Sequence, residues 1–394
     1  MNTPQSAMKT FIQVHPNDNV VVALDDLSQG FQFSMGDNTI VLSQDVTRGH
    51  KIAITPLLQG EDIIKYGYAI GHCIEDIAIG TWVHSHNLKT SLTDENNYQF
   101  KANTAKQILI DSETPTFLGY RRENGSVGIR NELWIINSVG CVNHTAKALV
   151  AQCKEKHPNK ADDFLAVTHP FGCSQLGDDL SQTKRLLANL SSNPNAGGVL
   201  FLGLGCENNQ LSELIKSVPK SLSSRLSYFN AQEVDDEEAE GMRHIEALLD
   251  KMSDDHREPC PVSELTVGMK CGGSDGLSGL TANPLLGRIT EKLSAYGATV
   301  ILTETPEMFG AEQVLMNNAL DEQVFNNIVD LVEDFKDYFI KNNQPIYENP
   351  SPGNKMGGLT TLEEKSLGAI QKGGNAVVQD VIKYGEKAHR KNGI

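Results

Sequence analysis

From Phe117 onward the chain alternates short apolar runs with longer amphipathic ones, and no other feature restricts the fold so strongly. "ELWIINSV" is followed by "TAKALVAQCKEK", "DFLAVTH" by "DDLSQTKRLLANLSS", "GGVLFLGLG" by "NQLSELIKSV" and "LTVGMK" by "PLLGRITEKLSAYG". "ATVILTE" leads to another helical stretch and then to "DEQVFNNIVDLVEDFKDYFIKN". Strands covered on both faces read as continuous apolar runs, and strand–helix–strand crossovers make neighbouring strands parallel. The reading is α/β with mostly parallel sheets. Near the end, "NAVVQDVIKYGEKAH" reads as one more amphipathic helix, after which a strand is due, so the last α/β unit is expected to be incomplete.

The first part of the chain has a different grain. "NVVVAL", "FQFSM", "NTIVLS" and "HKIAIT" are short β-prone runs separated by turn signals, and "GYAIGHCIEDIAIGTWVHSHN" continues them with regularly placed glycines. The expected organisation is a small β domain over 1–95, a linker over 96–116, an α/β domain over 117–255 and a second, shortened one over 256–394. Length permits this, since 394 residues can form two or three cores. A net charge of −16 argues against nucleic-acid and anionic-membrane partners. The N-terminus carries no apolar signal core, and seven scattered cysteines do not make a disulfide framework, so a reduced, cytoplasmic protein is expected.

Four of those cysteines share one setting: each closes an apolar strand, in a glycine-containing turn before a helix. They are Cys141 in "NSVGCVNH", Cys173 in "THPFGCSQLGDD", Cys206 in "GLGCENNQ" and Cys271 in "MKCGGSDG". Ligands bind outside the carboxyl ends of parallel strands, which makes these loops the first place to seek a site. Asn143, His169, Asp178, Asp179, Glu207, Asn208, Ser274 and Asp275 accompany them. A lone cysteine is more often a small buried hydrophobe, but four in equivalent places favour a site. No C-x-x-C occurs, so zinc-ribbon and the common iron–sulfur spacings are unsupported.

Other candidates are weighed the same way. His84 and His86 in "VHSHN" would share a face if they lay in a strand, as a metal or anion requires, against an equal case for two solvated side chains. Arg121, Arg122 and Arg130 in "GYRRENGSVGIRNE" suit carboxylate binding, although arginines so placed usually pair with neighbours such as Glu123 or Glu132. "GLGCEN" lacks the third glycine of a dinucleotide turn. Glu304, Glu307 and Glu312 in "TETPEMFGAEQVL" either cap a helix or serve as ligand or base.

Taken together, "VHSHN", "RRENGSVGIRNELWI", "VGCVN", "FGCSQLGDD", "NPNAGGVLFLGLGCENNQ", "CGGSDGLSGLTANPLLGR", "TETPEMFGAEQVL" and "YENPSPGNKMGGLTTLEEKSLG" resemble the altronate/galactarate dehydratase family over essentially the whole chain. The likeness is stronger to its altronate-dehydrating branch, and the N-terminal part resembles that family's SAF domain, a β-clip module. The resemblance implies a hydro-lyase that converts D-altronate to 2-dehydro-3-deoxy-D-gluconate in hexuronate catabolism, with galactarate or a related aldarate as alternative substrates. It implies a divalent metal, Fe2+ or Mn2+, and a small-molecule sugar acid as partner, with a homo-oligomer left open. Metal candidates are then His84, His86, Cys141, Cys173, Cys206 and Cys271, not all at once. Asp275, Ser274 and Glu304 are the expected catalytic residues. Arg121, Arg130, Asn143, Gln175, Asn208, Gly272 and Gly273 are the expected substrate contacts. Members extend further, through a "TGRGTP"-like string with no counterpart here, so the resemblance also implies weakened activity, or a sugar-acid- or partner-binding role alone.

Overall fold

Four parallel strands hydrogen-bond in the order Phe164–Val167, Glu132–Asn137, Ala196–Gly203, Leu226–Asn230. Their register runs from Leu133 opposite Phe164 and Gly198 to Asn137 opposite Leu202, with Gly203 opposite Asn230. The strands Glu132–Asn137 and Ala196–Gly203 are buried at every residue, as an apolar run in a covered sheet should be. Side chains of a strand alternate in direction, so each face has its own core. Leu133, Ile135, Leu200 and Leu202 pack with the helices Asn143–Lys156 and Glu237–Met252. Trp134, Ile136, Val199 and Phe201 pack on the opposite face with the helices Gly177–Leu190 and Leu211–Lys216.

The computed structural model describes residues 9–36, 38–92, 98–101, 114–388 and 393–394; much of the expected linker lies outside them. Two compact units result. The four-stranded parallel sheet belongs to the unit formed by Ser112–Leu265 with Ile382–His389, and the other comprises Met1–Asp111, Thr266–Val381 and Arg390–Ile394. The second unit joins the N-terminal β region to the C-terminal α/β elements, a union that chain order does not suggest.

In that second unit, Thr266–Met269 pairs in parallel with Thr299–Leu302, the two being linked by the helix Ala282–Ala295. The N-terminal region is antiparallel, with a four-stranded sheet ordered Phe11–Ile12, Val20–Ala23, Lys51–Ala53, Trp82–Val83. Its turns repeat one device: Leu27, Val46, Leu57 and Ile77 are each buried, and each is followed three residues later by Gly30, Gly49, Gly60 or Gly80. All four glycines have φ between +81° and +88°, the left-handed region open to glycine at little cost. Leu27 bridges Val46, and Leu57 bridges Ile77.

One expectation fails. The described part of "NAVVQDVIKYGEKAH", 375–388, contains no helix. Val378 forms a parallel bridge with Ala319, and Val377 and Val378 are buried in an extended segment. β-branched residues lose little by extension, and the chain enters this segment from Gly374, at φ +56°, which ends the 3-10 helix Ile370–Gly373. Gly393 pairs with Thr299 beside it.

Candidate active-site loops

Between the strand Thr266–Met269 and the helix Ala282–Ala295 lies the glycine-rich loop, and its glycines divide into two kinds. A Cβ on Gly276 would sit 2.0 Å from the Gly49 carbonyl oxygen, and one on Gly279 would sit 2.3 Å from the Tyr66 hydroxyl. Those two are required by close packing with the β region. A Cβ on Gly272 or Gly273 would meet nothing within 4 Å, and neither needs a positive φ. They border open space beside Cys271.

Cys271 is the centre of a cluster. Its Sγ and one carboxylate oxygen each of Glu304 and Glu307 lie within 4.8 Å of one another, all three residues being half-buried. Glu304 follows the neighbouring strand Thr299–Leu302 and is held at φ +69°, an unusual conformation for a residue with a side chain. Its Oε2 accepts the Cys271 N–H at 2.6 Å and lies 3.8 Å from Lys372 Nζ. Glu307 Oε1 pairs with Lys365 Nζ at 2.9 Å, whereas Glu307 Oε2 is buried with no hydrogen-bond partner. The Ser274 hydroxyl lies 3.1 Å from Cys271 Sγ. A thiol and two carboxylates, one of them with an orphaned buried oxygen, fit a divalent cation. Asp275 is exposed, and its Oδ1 accepts from Leu277 N, Ser278 N and Ser278 Oγ, so it shapes the loop.

In the other unit, Cys141, Cys173 and Cys206 follow three adjacent strands of the parallel sheet and are exposed. Asn143 accepts from Asn137 Nδ2 and donates to the His169 carbonyl, Gln175 accepts the Gly172 N–H, and Asn208 accepts the Ser174 N–H. His169 donates through Nε2 to the Asn137 carbonyl at 2.8 Å. Glu207 is buried, accepting from Ser138 Oγ, Leu204 N and Gly205 N. Asp178 and Asp179 stand in the first turn of a helix, where carboxylates favour the dipole. The expected loops therefore split into two groups, Cys271 with Ser274 and Glu304 in one unit, and three cysteines with Asn143, Gln175 and Asn208 in the other.

The two arginines stand elsewhere. Arg121 pairs with Glu258 at 2.7 Å and Glu264 at 2.9 Å. Arg130 pairs with Glu132 at the start of its strand, the end away from the cysteine loops. His84 and His86 do not share a strand face; they occupy the bend and turn after Trp82–Val83. Asn87 closes that turn, accepting the His84 N–H and donating to the Trp82 carbonyl. His84 is buried, its Nε2 donating to the Lys355 carbonyl and its Nδ1 accepting the Ser85 N–H, while His86 is exposed against the Trp82 ring. His50 is similarly fixed, accepting the Trp82 indole N–H and donating to the Met356 carbonyl.

Sequence reasoning missed the lysines. Lys365 and Lys372 face the Glu307 and Glu304 carboxylates, and a second buried group lies beside them in the chain. Glu364 accepts from Lys51 and Lys65, both at 2.8 Å, with all three side chains inaccessible. Thr360 adds its N–H and hydroxyl to the same carboxylate. Burial alone would raise the Glu364 pKa, but the two lysines outweigh it and hold the carboxyl well below its usual range. Burial lowers Lys51 to about 8 despite the attraction of Glu364, whereas for Lys65 burial is the largest single effect but Glu364 and Tyr66 together outweigh it and raise the pKa. The signal was available in "HKIAIT", "IIKYG" and "TLEEKSLG", where charges interrupt otherwise packable runs.

The chain has close counterparts among known proteins. Residues 9–91 match the altronate/galactarate dehydratase SAF domain, 119–253 the second domain of D-galactarate dehydratase/altronate hydrolase, and 262–394 the D-galactarate/altronate dehydratase C-terminal domain. Altronate dehydratase of Bacillus subtilis is 48% identical over 381 residues, covering 96% of this chain and 76% of the relative. Altronate dehydratase of Escherichia coli is 48% identical over 379 residues, with the same coverage. Galactarate dehydratase (L-threo-forming) of Escherichia coli is 32% identical over 393 residues, covering 96% and 75%. The chain belongs to the altronate/galactarate dehydratase family. Among the described residues no helix is long and apolar enough to cross a membrane.

Proposed function

We propose that this protein is a metal-dependent hydro-lyase that removes water from D-altronate to give 2-dehydro-3-deoxy-D-gluconate, working in the cytoplasm, where free thiols persist. The observation that carries the reading is 48% identity to altronate dehydratases over 96% of the chain, against 32% to a galactarate dehydratase. Cys271, Glu304 and Glu307 would hold a divalent cation, Fe2+ or Mn2+. When bound, that cation supplies a Lewis acid for the carboxylate and a hydroxyl of the sugar acid. The chain's own residues supply the rest. The open backbone at Gly272 and Gly273 admits a polyhydroxylated substrate close to the loop. Lys365 and Lys372 hold the two carboxylates in place and limit their mutual repulsion. The Ser274 hydroxyl and the Lys372 ammonium are the groups beside Cys271 and Glu304 that can hold a proton for the departing hydroxyl.

The reading is tested by incubating Fe2+- or Mn2+-loaded protein with D-altronate and assaying the 2-keto-3-deoxy acid. Product formation that Glu304→Gln lowers at least about a hundredfold is expected, since loss of one preorganised electrostatic group costs on that order. Absence of product with either metal would contradict it.

A further inference from the structure

Free cysteine is among the most buried of residues, and three of the seven obey that rule: Cys73 is 1% exposed, Cys153 and Cys260 are 0%. Cys141, Cys173 and Cys206 break it together, exposed at the carboxyl ends of three neighbouring strands. Packing does not account for them.

Their loops are tied to one another close to each thiol. Gly140, preceding Cys141, donates its N–H to the Phe171 carbonyl at 2.9 Å. Gly172, preceding Cys173, accepts the Asn209 N–H at 3.0 Å. Ser174, following Cys173, donates its N–H to Asn208 Oδ1 at 2.7 Å. Two of these turns need backbone at positive φ, and one of them places a residue with a side chain there. Cys173 stands between Gly172 at φ +104° and Ser174 at φ +55°, and Cys206 follows Gly205 at φ +125°. A Cβ on Gly172 would fall 2.3 Å from the Ser138 carbonyl oxygen, so the Cys173 loop is pressed against the one carrying Cys141. A serine in the left-handed region is the kind of strain that persists where a site over-determines it. Beneath this edge, Asn137 Oδ1 and Asn209 Oδ1 are buried without a hydrogen-bond partner.

We propose that Cys141, Cys173 and Cys206 are the protein ligands of an iron–sulfur cluster of the [4Fe–4S] class. A single metal ion is the poorer occupant. Among the described residues, only Cys271, Glu304 and Glu307 bring three such ligand atoms within 4.8 Å, so the three thiols are spread too widely for one ion without rearrangement. A cluster presents its irons at separate corners and spans a wider set of thiolates. Three cysteines leave one iron without a protein thiolate. Cluster binding stands independently of the dehydratase reading, which places its cation at Cys271, Glu304 and Glu307.

Ligand exchange tests the site without any change of oxidation state. The whole chain, kept anaerobic, is mixed with a preformed [4Fe–4S] cluster carried by small alkyl thiolates. Each protein S–H bond breaks, its proton passes to a displaced alkyl thiolate, and an Fe–S(Cys) bond replaces an Fe–S(alkyl) bond. After gel filtration, about one cluster per chain should remain, read as iron, acid-labile sulfide and charge-transfer absorbance. The variant Cys141→Ser/Cys173→Ser/Cys206→Ser should retain at least about tenfold less, while Cys271→Ser retains the full amount. Circular dichroism checks the fold of the variant. If it does not fold, alkylation of the unmutated chain, mapped by mass spectrometry, decides: bound cluster should protect Cys141, Cys173 and Cys206 together. No retained cluster, equal retention in a folded triple variant, unprotected thiols, or Zn2+ alone bound by these thiols in place of the cluster would overturn the proposal. D-altronate turnover is measured separately, so a cluster on an inactive chain refutes the dehydratase reading alone.

Discussion

Gly276 and Gly272 stand four residues apart in one loop and answer to different demands. At Gly276 an added methyl would collide with the Gly49 backbone, which cannot swing aside like a side chain. Gly276→Ala should therefore cost at least about 1–3 kcal/mol in urea unfolding, the usual range for overpacking. Gly272→Ala should leave the unfolding midpoint unchanged and raise KM for the substrate, because its Cβ would enter open space beside Cys271. A loss of stability in Gly272→Ala matching that of Gly276→Ala would contradict this division. The sequence showed the loop and its cysteine but not which glycines serve packing, because that depends on the distant turn at Gly49. The same limit hid Lys365 and Lys372, whose partners Glu307 and Glu304 are more than fifty residues away in the chain.

At the scale of elements, the helix Leu362–Ala369 is anchored by a charge group that no single segment reveals. Glu364 joins it to Lys51 and Lys65 of the β region, fully buried. Glu364→Gln should destabilise by about 3–5 kcal/mol, because two buried ammonium groups lose their counter-charge. Denaturant unfolding measures it, and a cost below about 1 kcal/mol would show that water reaches the group. Acid should act on the same region. Burial lowers the pKa values of His50 and His84 below the ordinary 6.5, and both rings already accept an N–H through Nδ1. The unfolded chain thus takes up protons first as pH falls. This contribution is complete above pH 6.5 and is lost as pH drops from there through the lowered values. Glu364 adds a loss of the same sign at lower pH, below the ordinary 4.5. Unfolding midpoints measured from pH 7.5 to 5 should fall, and less steeply in His50→Gln/His84→Gln. Three strands of the parallel sheet were legible as short apolar runs, whereas Leu226–Asn230, whose sequence LSYFN mixes polar residues with an exposed Tyr228, was not. Residues 375–388 misled because spaced apolar residues suit a helix and an extended segment bridging Ala319 alike.

For the molecule as a whole, family membership rests on likeness along 96% of the chain, and the proposed chemistry rests on what the loops offer. The β character of the N-terminal region, the α/β character of the rest and the strand-end loops were all visible in residue order. The grouping of elements into units was not, since Thr266–Val381 folds with Met1–Asp111 and the Ser112–Leu265 stretch between them forms its own sheet. Local periodicity carries no information on such long-range pairing. The most direct test is kcat/KM of the Fe2+- or Mn2+-loaded protein for D-altronate and for galactarate, read as 2-keto-3-deoxy acid formed. Turnover of D-altronate is expected with kcat/KM at least about tenfold above that for galactarate, a difference of about 1.4 kcal/mol in transition-state binding. Equal turnover of both, a preference for galactarate, or no dehydration of D-altronate would contradict it.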